Sequence, residues 1–582
     1  MAFNFLTSLI NDGAGPSHLD EDIDQFDNDE ESDVDYELIN DEESGNVHFS
    51  DDDASSSSDG EGTRPRRNEQ FNEDGDRDWS TILTEVQLHD FVEHVGPCTT
   101  INADDSFTAF DYFSVFIPEE FYGHCVTETN RYALERALIK PDTTWKPVDI
   151  ADIKLFMYIN FMFGIHQLPH YKLYWSTNDL LNVPAVSKVM SRNRYVAIAK
   201  YFHLNNNAVF IPRGTVGHDP IFKVRPLFDT VLNNSLKSLK PEKDISIDEA
   251  MVAYTGRLVF KQYIKNKPSP WGIKLWCAAD PHSGYLYNFD VYMGKSNVKM
   301  PNGLSYHVVF KMGEPFLDKY HHFYYDNYFT SVKLAEDLLQ RDTYSCATIR
   351  PSRKGWPKEF KNLKLKKSAT ETGVRFRQIG NLVACFFHDK RPVQVLSTNA
   401  QPTMSTTQRT TAGGRVDVQI PTPVFTYNKG MGGVDLHDQL RSYYPIGRRS
   451  RKWWRSLVWF LLQVATINSY IIYKKQFMQR HPGQKPKTHL EFRLDLCHQL
   501  MAGSSVRQRA ATDIPAATGT TTLDNTKHQP NRMFGRKKTC YECSRSKRKT
   551  PTNRPIETSN GCLLCKVHLC KGHCFAIFHN NL

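Results

Sequence analysis

The sequence predicts a mixed α/β protein in which a sheet-bearing core is interrupted by an insertion, flanked by mainly helical segments and followed by a small cysteine-rich module. Three observations carry this. Aspartates stand in strand and helix settings, as Asp248 in ISIDEAM, Asp326 in HHFYYDNYFT, and Asp435 with Asp438 in MGGVDLHDQL. Short alternating segments begin at Ile245, after a long stretch of helical periodicity. Cysteines crowd the C-terminal end.

At 582 residues the chain is longer than one hydrophobic core usually serves, so several units are expected. Charge is split between them. Residues 1–80 hold 25 Asp+Glu against 4 Lys+Arg, so the formal total of +7 leaves +28 for the remainder. A basic body favours a polyanionic partner, nucleic acid being the commonest. The acidic start, with a serine run at 55–58 and few aliphatic clusters, is expected to stay disordered. MAFNFLTSLINDGAG lacks the basic opening of a secretory signal, so an intracellular protein with its 12 cysteines reduced is expected.

The elements follow in order. Residues 85–240 show helix-length apolar periodicity, for example ADIKLFMYINFMFGIHQL and SRNRYVAIAKYFHL. Residues 241–350 change texture. ISIDEAM reads as a strand, GIKLWCAA and GYLYNFDVYMG flank the turn DPHSG as a hairpin, and alternation in HHFYYD places His322, Tyr324 and Asp326 on one face. A helix near 330–340 and a strand near 344–350 come next. Residues 351–429 interrupt the pattern with basic residues, a second hairpin turning at Gly380-Asn381, and the polar run STNAQPTMSTTQRTTAGG. Glycines 430, 432 and 433 then open a helix that sets Asp435 and Asp438 one turn apart, within the short segment 430–440. In 441–500, SLVWFLLQVATINSYIIY is apolar enough to raise a membrane span. Its Gln463, Thr466, Asn468 and Ser469 argue instead for a buried helix and no membrane. Residues 501–536 read as a linker and 537–582 as a cysteine-rich unit.

Strand with acid, hairpin, helix, strand with acid, helix, strand, insertion, helix with acid is the order of an RNase H-like fold. There, acids distant in sequence meet and hold two divalent ions. Mg²⁺ is a hard ion that takes oxygen ligands. A pair of ions about 3.5–4 Å apart activates the attacking hydroxyl and stabilises the leaving oxygen of an in-line displacement. Asp248 and Asp326 stand out because each lies among apolar strand residues, where an unpaired carboxylate is costly. The helix presents Asp435, Asp438 or both, and Glu249 is expected to point to the opposite face as a structural residue.

Two basic clusters are candidate nucleic-acid contacts. Arg350, Arg353 and Lys354 follow the strand at 344–350, and Arg448 and Arg449 precede Trp453 and Trp454. At the C-terminus, Cys540-x2-Cys543 and Cys562-x2-Cys565, followed by Cys570, His573, Cys574 and His579, suit two structural Zn²⁺ in a crossed arrangement, with His568 a spare ligand. The flanking GRKK and SRSKRK add phosphate affinity and resemble a nuclear import signal. On its chemistry alone this module could also be a protein-binding finger.

The blocks SIDEAMVAYTGR, KQYIKNKPSPWGIKLW, YYDNYFTSVKLAEDLL, YNKGMGGVDLHDQ and WFLLQVATINSYIIY, with the cysteine-rich tail, resemble the piggyBac transposases over most of residues 85–582. The resemblance implies a nuclear cut-and-paste DNA transposase that acts on transposon ends and TTAA targets through hairpin intermediates. It implies Asp248, Asp326 and Asp435 as the catalytic triad holding two Mg²⁺, with Asp438 as an additional acid. It also implies a homodimer with a dimerisation and DNA-binding region split between 85–240 and 441–500, and a zinc module that binds transposon-end DNA. The tail of the family matches the six cysteines and His579 better than His573. The alternative is a domesticated DNA-binding protein without catalysis.

Overall fold

The computed structural model describes residues 77–98, 101, 104–265, 267, 269–295, 300–363, 373–411, 414–502, 530–533 and 537–580. The acidic start up to residue 76 and most of the expected linker lie outside these residues. The chain separates into two compact units, Met1–Arg507 and Gln508–Leu582.

The first unit is built on a nine-stranded sheet. Its strands are β1 (Asp244–Ala253), β2 (Lys261–Tyr263), β3 (Trp271–Ala279), β4 (Leu286–Val291), β5 (His322–Tyr325), β6 (Tyr344–Thr348), β7 (Val374–Ile379), β8 (Leu382–His388) and β9 (Pro392–Ser397). They run in the order β2-β3-β1-β5-β6-β9-β8-β7, with β4 also pairing β3. Strand β1 is antiparallel to β3 and parallel to β5, and β5 is parallel to β6. The sequence β4-β3-β1-β5-β6 is the RNase H-like order expected from the pattern of elements. β1 and β5 are buried almost throughout, as expected of strands covered on both faces, so the polar residues that β1 carries are buried with them.

The segment 351–429 is tied to this sheet more closely than its composition suggests. Its strands β7, β8 and β9 extend the edge beyond β6, through antiparallel pairing of Val395, Leu396 and Ser397 with Thr348, Ala347 and Cys346. The polar run after it forms a hairpin, β10 (Met404–Thr411) and β11 (Gly414–Pro421), in which only the second strand carries an apolar alternation, Val416, Val418 and Ile420.

Helices frame the sheet: α1 (Glu119–Ile139), α2 (Ile150–Ile165), α3 (Arg225–Ser238), α4 (Leu304–Gly313), α5 (Val332–Leu339), α6 (Thr422–Gly430), α7 (Gly433–Tyr443), α8 (Trp453–Arg480) and α9 (His489–Met501). The helix α8 is long and apolar enough to cross a membrane, yet 83% of its apolar window is buried inside the protein. Its polar groups are satisfied there. Asn468 donates to Leu286 O and accepts from Leu286 N–H, which fixes α8 to β4, and Gln463 donates to Arg441 O and Tyr444 O. A buried amide that finds such partners avoids the cost of desolvation without a hydrogen bond. Trp453 and Trp454 are buried anchors at the start of α8.

Candidate active site and metal-binding clusters

The helix α7, which carries Asp435 and Asp438, docks on β1, the strand of Asp248. Three contacts bring it there. Ser246 Oγ on β1 donates to Met431 O at 2.6 Å, just ahead of α7. Gly433 opens the helix where any Cβ would stand 2.9 Å from Asp280 O and 3.0 Å from Ser246 Cβ, so only glycine permits this approach. His437 Nδ1 lies 2.9 Å from Gly284 O; since a carbonyl only accepts, the proton is on Nδ1. Gly284, at φ 74°, makes the β3–β4 turn tight enough to offer that carbonyl.

Asp248 is buried in the middle of β1, and its Oδ1 accepts from Glu249 N–H at 2.8 Å. Asp326 follows the last residue of β5 in a local turn, with Oδ1 accepting from Tyr328 N–H at 2.9 Å and its carbonyl accepting from Thr330 Oγ1 at 2.8 Å. Since β1 and β5 pair in parallel, with Ser246 opposite Tyr324, each acid lies two residues beyond a paired position, which sets Asp248 in mid-strand level with Asp326 just past the end of β5. Asp435 lies in the first turn of α7, its side chain 59% exposed, and Asp438 accepts from Arg441 Nη1 at 2.6 Å.

Burial, with the charge of Glu249 next, holds the Asp248 carboxyl well above the usual carboxylate range. Asp326 is raised by burial against the hydrogen bond from Tyr328, and Asp438 by burial against Arg441. Each of these carboxylates would be relieved by a nearby cation. The oxygen-only donor set fits Mg²⁺, so Asp248, Asp326 and Asp435 could hold divalent ions, with Asp438 close by on the same helix.

Sequence reasoning missed two lysines and the electrostatic reach of Glu249. Glu249 lies 3.9 Å from Lys267 Nζ and 3.7 Å from Lys274 Nζ, and its charge acts on both Asp248 and Asp326. It is therefore part of the electrostatics of the site rather than a remote structural residue. Lys267 Nζ also lies 4.0 Å from Asp435 Oδ1. Both lysines sit in the block KQYIKNKPSPWGIKLW, and only a strand pairing Met251 with Lys274 brings them beside the acids.

The basic clusters divide. Arg350 Nε donates to Asn327 Oδ1 at 3.2 Å, and Arg353 Nη2 donates to Asn327 O and Tyr328 O at 3.2 and 2.7 Å. These arginines brace the turn that carries Asp326, while Lys354 is exposed. Arg448 lies over the Phe163 and Tyr171 rings, and Arg449 is exposed; both line a shallow cleft with Arg455, Tyr195 and Trp459.

In the second unit the Sγ atoms of Cys540, Cys543, Cys570 and Cys574 lie within 4.8 Å of one another, as do the ligand atoms of Cys562, Cys565 and His579. The pairs alternate along the chain, which gives the crossed arrangement. His579 Nδ1 lies 2.8 Å from Phe575 O, so Nε2 is left facing Cys565 at 3.5 Å. Burial and the neighbouring thiols push Cys570 and Cys574 up to about 11. The four-thiol group fits a tetrahedral zinc. His573 is corrected: it is exposed at the start of the helix His573–Asn580 and belongs to neither group, because that helix turns Cys574 and His579 inward and His573 to solvent. His568 Nδ1 is engaged by Thr558 O at 3.0 Å.

Sheet order and helix placement define an RNase H-like protein of the transposase class. The family model described as Transposase IS4 matches residues 108–470, and the chain belongs to this family, in its piggyBac-type branch. The human PiggyBac transposable element-derived protein 3 is 28% identical over 423 residues, covering 70% of this chain and 68% of its own. The human PiggyBac transposable element-derived protein 5 is 24% identical over 416 residues, covering 68% and 76%. A cryo-EM structure of a piggyBac transposase synaptic complex with hairpin DNA matches in fold with a TM-score of 0.62 at 23% identity, covering 82% of this chain and 99% of that one.

Proposed function

We propose that this chain is a cut-and-paste DNA transposase whose catalytic acids are Asp248, Asp326 and Asp435, assisted by Asp438. The observation that carries the reading is the register that sets Asp248 level with Asp326 on paired parallel strands, with the helix bearing the other two acids docked on β1. Two Mg²⁺, when bound by these acids, would activate water and then a 3′ hydroxyl and would stabilise the leaving oxygen. The residues themselves do the rest. Asp248 and Asp326 supply ligands fixed by backbone N–H groups, and Arg350 and Arg353 hold the Asp326 turn rigid. DNA ends are gripped through Lys354, Arg448 and Arg449, with Arg350 and Arg353 acting nearer the site. Hairpin intermediates, TTAA targets, a homodimer, nuclear location and transposon-end binding by a two-zinc module complete the proposal.

A second reading, DNA binding without cleavage, is favoured by the names of the human relatives, which mark them as derived from transposable elements. Excision of a reporter flanked by the element's own ends separates the two. Excision with restored target sequence that disappears in Asp326→Asn, while end binding survives, supports the transposase. A folded wild type that binds those ends and never excises supports the silent binder.

A further inference from the structure

Lys267 is held in an unusual setting. Its Nζ lies 4.0 Å from Asp435 Oδ1, 3.9 Å from Glu249 Oε1 and 3.3 Å from Glu249 O, and its side chain is 21% exposed. Its charge also acts on Asp248 and Asp438. The separations to the carboxylates are long for committed ion pairs, so the ammonium is shared among acids on β1 and α7. Lys274 behaves differently. Its Nζ sits 3.9 Å over the Trp276 ring and 5.2 Å from the Tyr328 ring, and 3.7 Å from Glu249 Oε2. Lys274 is clamped between aromatic faces, and Glu249 bridges the clamped cation and the shared one. Lys267 is carried by the connection between β2 and β3, which Ile264 N–H closes on Pro270 O at 2.8 Å, so its backbone is held while its four-carbon stem reaches inward.

We propose that Lys267 is an exchangeable counter-charge of the acid site: it neutralises Asp435 and its neighbours before metal arrives, yields them to the divalent ions, and then contacts the non-bridging oxygens of the scissile phosphate. This rests on the reading of Asp248, Asp326 and Asp435 as the metal-holding acids. Three features support the exchange. The ammonium competes for the same oxygens that a divalent ion requires. A lysine is a compact, mobile point charge, suited to passing from a carboxylate to a phosphate. Glu249 retains the stem through its carbonyl and carboxylate, so displacement from Asp435 leaves the ammonium close to the site.

The test is a Mn²⁺ titration followed by electron paramagnetic resonance of the free ion, on zinc-replete full-length protein. It compares wild type, Lys267→Met, Lys267→Arg and Asp248→Asn, with strand cleavage of the element's own end DNA measured at saturating Mn²⁺. Lys267→Met is expected to bind Mn²⁺ about tenfold tighter, because its competitor is gone, and to cleave about 100-fold more slowly. Lys267→Arg is expected to restore wild-type Mn²⁺ affinity and part of the cleavage. A merely structural lysine would not raise metal affinity on removal. If Asp248→Asn binds as many Mn²⁺ as wild type, the acid-site reading fails and this inference with it. If Asp248→Asn loses sites while folded Lys267→Met binds Mn²⁺ as wild type does, only the role of the lysine is overturned. Should Lys267→Met not fold, Lys267→Gln takes its place under the same outcomes.

Discussion

The acid site of the core and the cysteine unit at the C-terminus collect ligands in opposite ways. The acids come from a central strand, the turn after another and a helix beyond a long insertion, and a continuous apolar core holds those elements in place without them. The thiols and His579 come from within about forty residues, and among the described residues of that unit the buried cluster consists of Cys540, Cys543, Cys562 and Cys574 with Leu569 and Phe575, with Ile556, Val567 and Phe578 partly buried against it. One site is an addition to a fold that stands alone. In the other, the ligands are the core, and a unit that small needs a metal staple.

The largest expected effect follows from that contrast. Cys540→Ser, or removal of zinc by a chelator, should unfold the second unit, since structural zinc contributes about 10–16 kcal/mol in small zinc-dependent folds. Limited proteolysis of the full chain read by mass spectrometry should show rapid cutting after residue 537 with the first unit intact. Protection of both units after zinc removal would erase the distinction. Asp326→Asn, the substitution used in the excision test, should give the reverse pattern: activity lost and both units as resistant as wild type.

A smaller effect is expected where the core must hold its acid helix in place. Gly433→Ala would press a methyl group against Asp280 O and Ser246 Cβ, both on or beside the central sheet, so α7 has to lift. Overpacking of this kind costs about 1–3 kcal/mol. Thermal unfolding should shift down accordingly, and excision should fall further than stability alone explains, because Asp435 and Asp438 ride on the displaced helix. Equal stability and equal excision in Gly433→Ala would mean that the close approach of α7 is not needed.

How much of this was readable beforehand differs between the regions for the same physical reason. The cysteine pairs could be assigned from spacing because their ligands are local; what spacing did not reveal was orientation, and so His573 was included although it faces solvent. In the core, Asp248 and Asp326 were legible because carboxylates among apolar strand residues are costly, and the order of elements supplied the fold. Lys267, Lys274 and Glu249 were not, because their proximity to the acids depends on the register that sets Glu249 opposite Trp276 and Met251 opposite Lys274. Arg350 and Arg353 looked like free phosphate contacts. Only the structure shows them spending donors on the carbonyls and amide of Asn327 and Tyr328. Strands β7 and β8 were readable as a hairpin, whereas β9 was not singled out, and its pairing across to β6 is a long-range event that leaves no local mark.

The smallest effect tests how far the core depends on neutral histidine. Burial, with the nearby charge of Arg441, pushes His437 down to about 3, and burial with Lys243 or Arg493 does the same to His322 and His489. A histidine whose folded pKa lies below its unfolded value near 6.5 stays neutral in the native state. Its contribution is therefore fully present above about pH 6.5 and is lost as pH falls toward 3, because the unfolded chain takes up protons that the native state refuses. The raised carboxyls of Asp248, Asp326 and Asp438 work in the opposite sense over part of that range, so the pH profile of the wild type alone cannot isolate one group. A difference can. His437→Gln removes the titration and keeps a donor able to reach Gly284 O, so its loss of stability between pH 6 and pH 4.5 should be shallower than wild type by about 1.4 kcal/mol per pH unit. Parallel denaturant midpoints for the two proteins across that range would show that His437 is already accessible to protons in the folded state, and that the seat of α7 on the β3–β4 turn opens more readily than its burial implies.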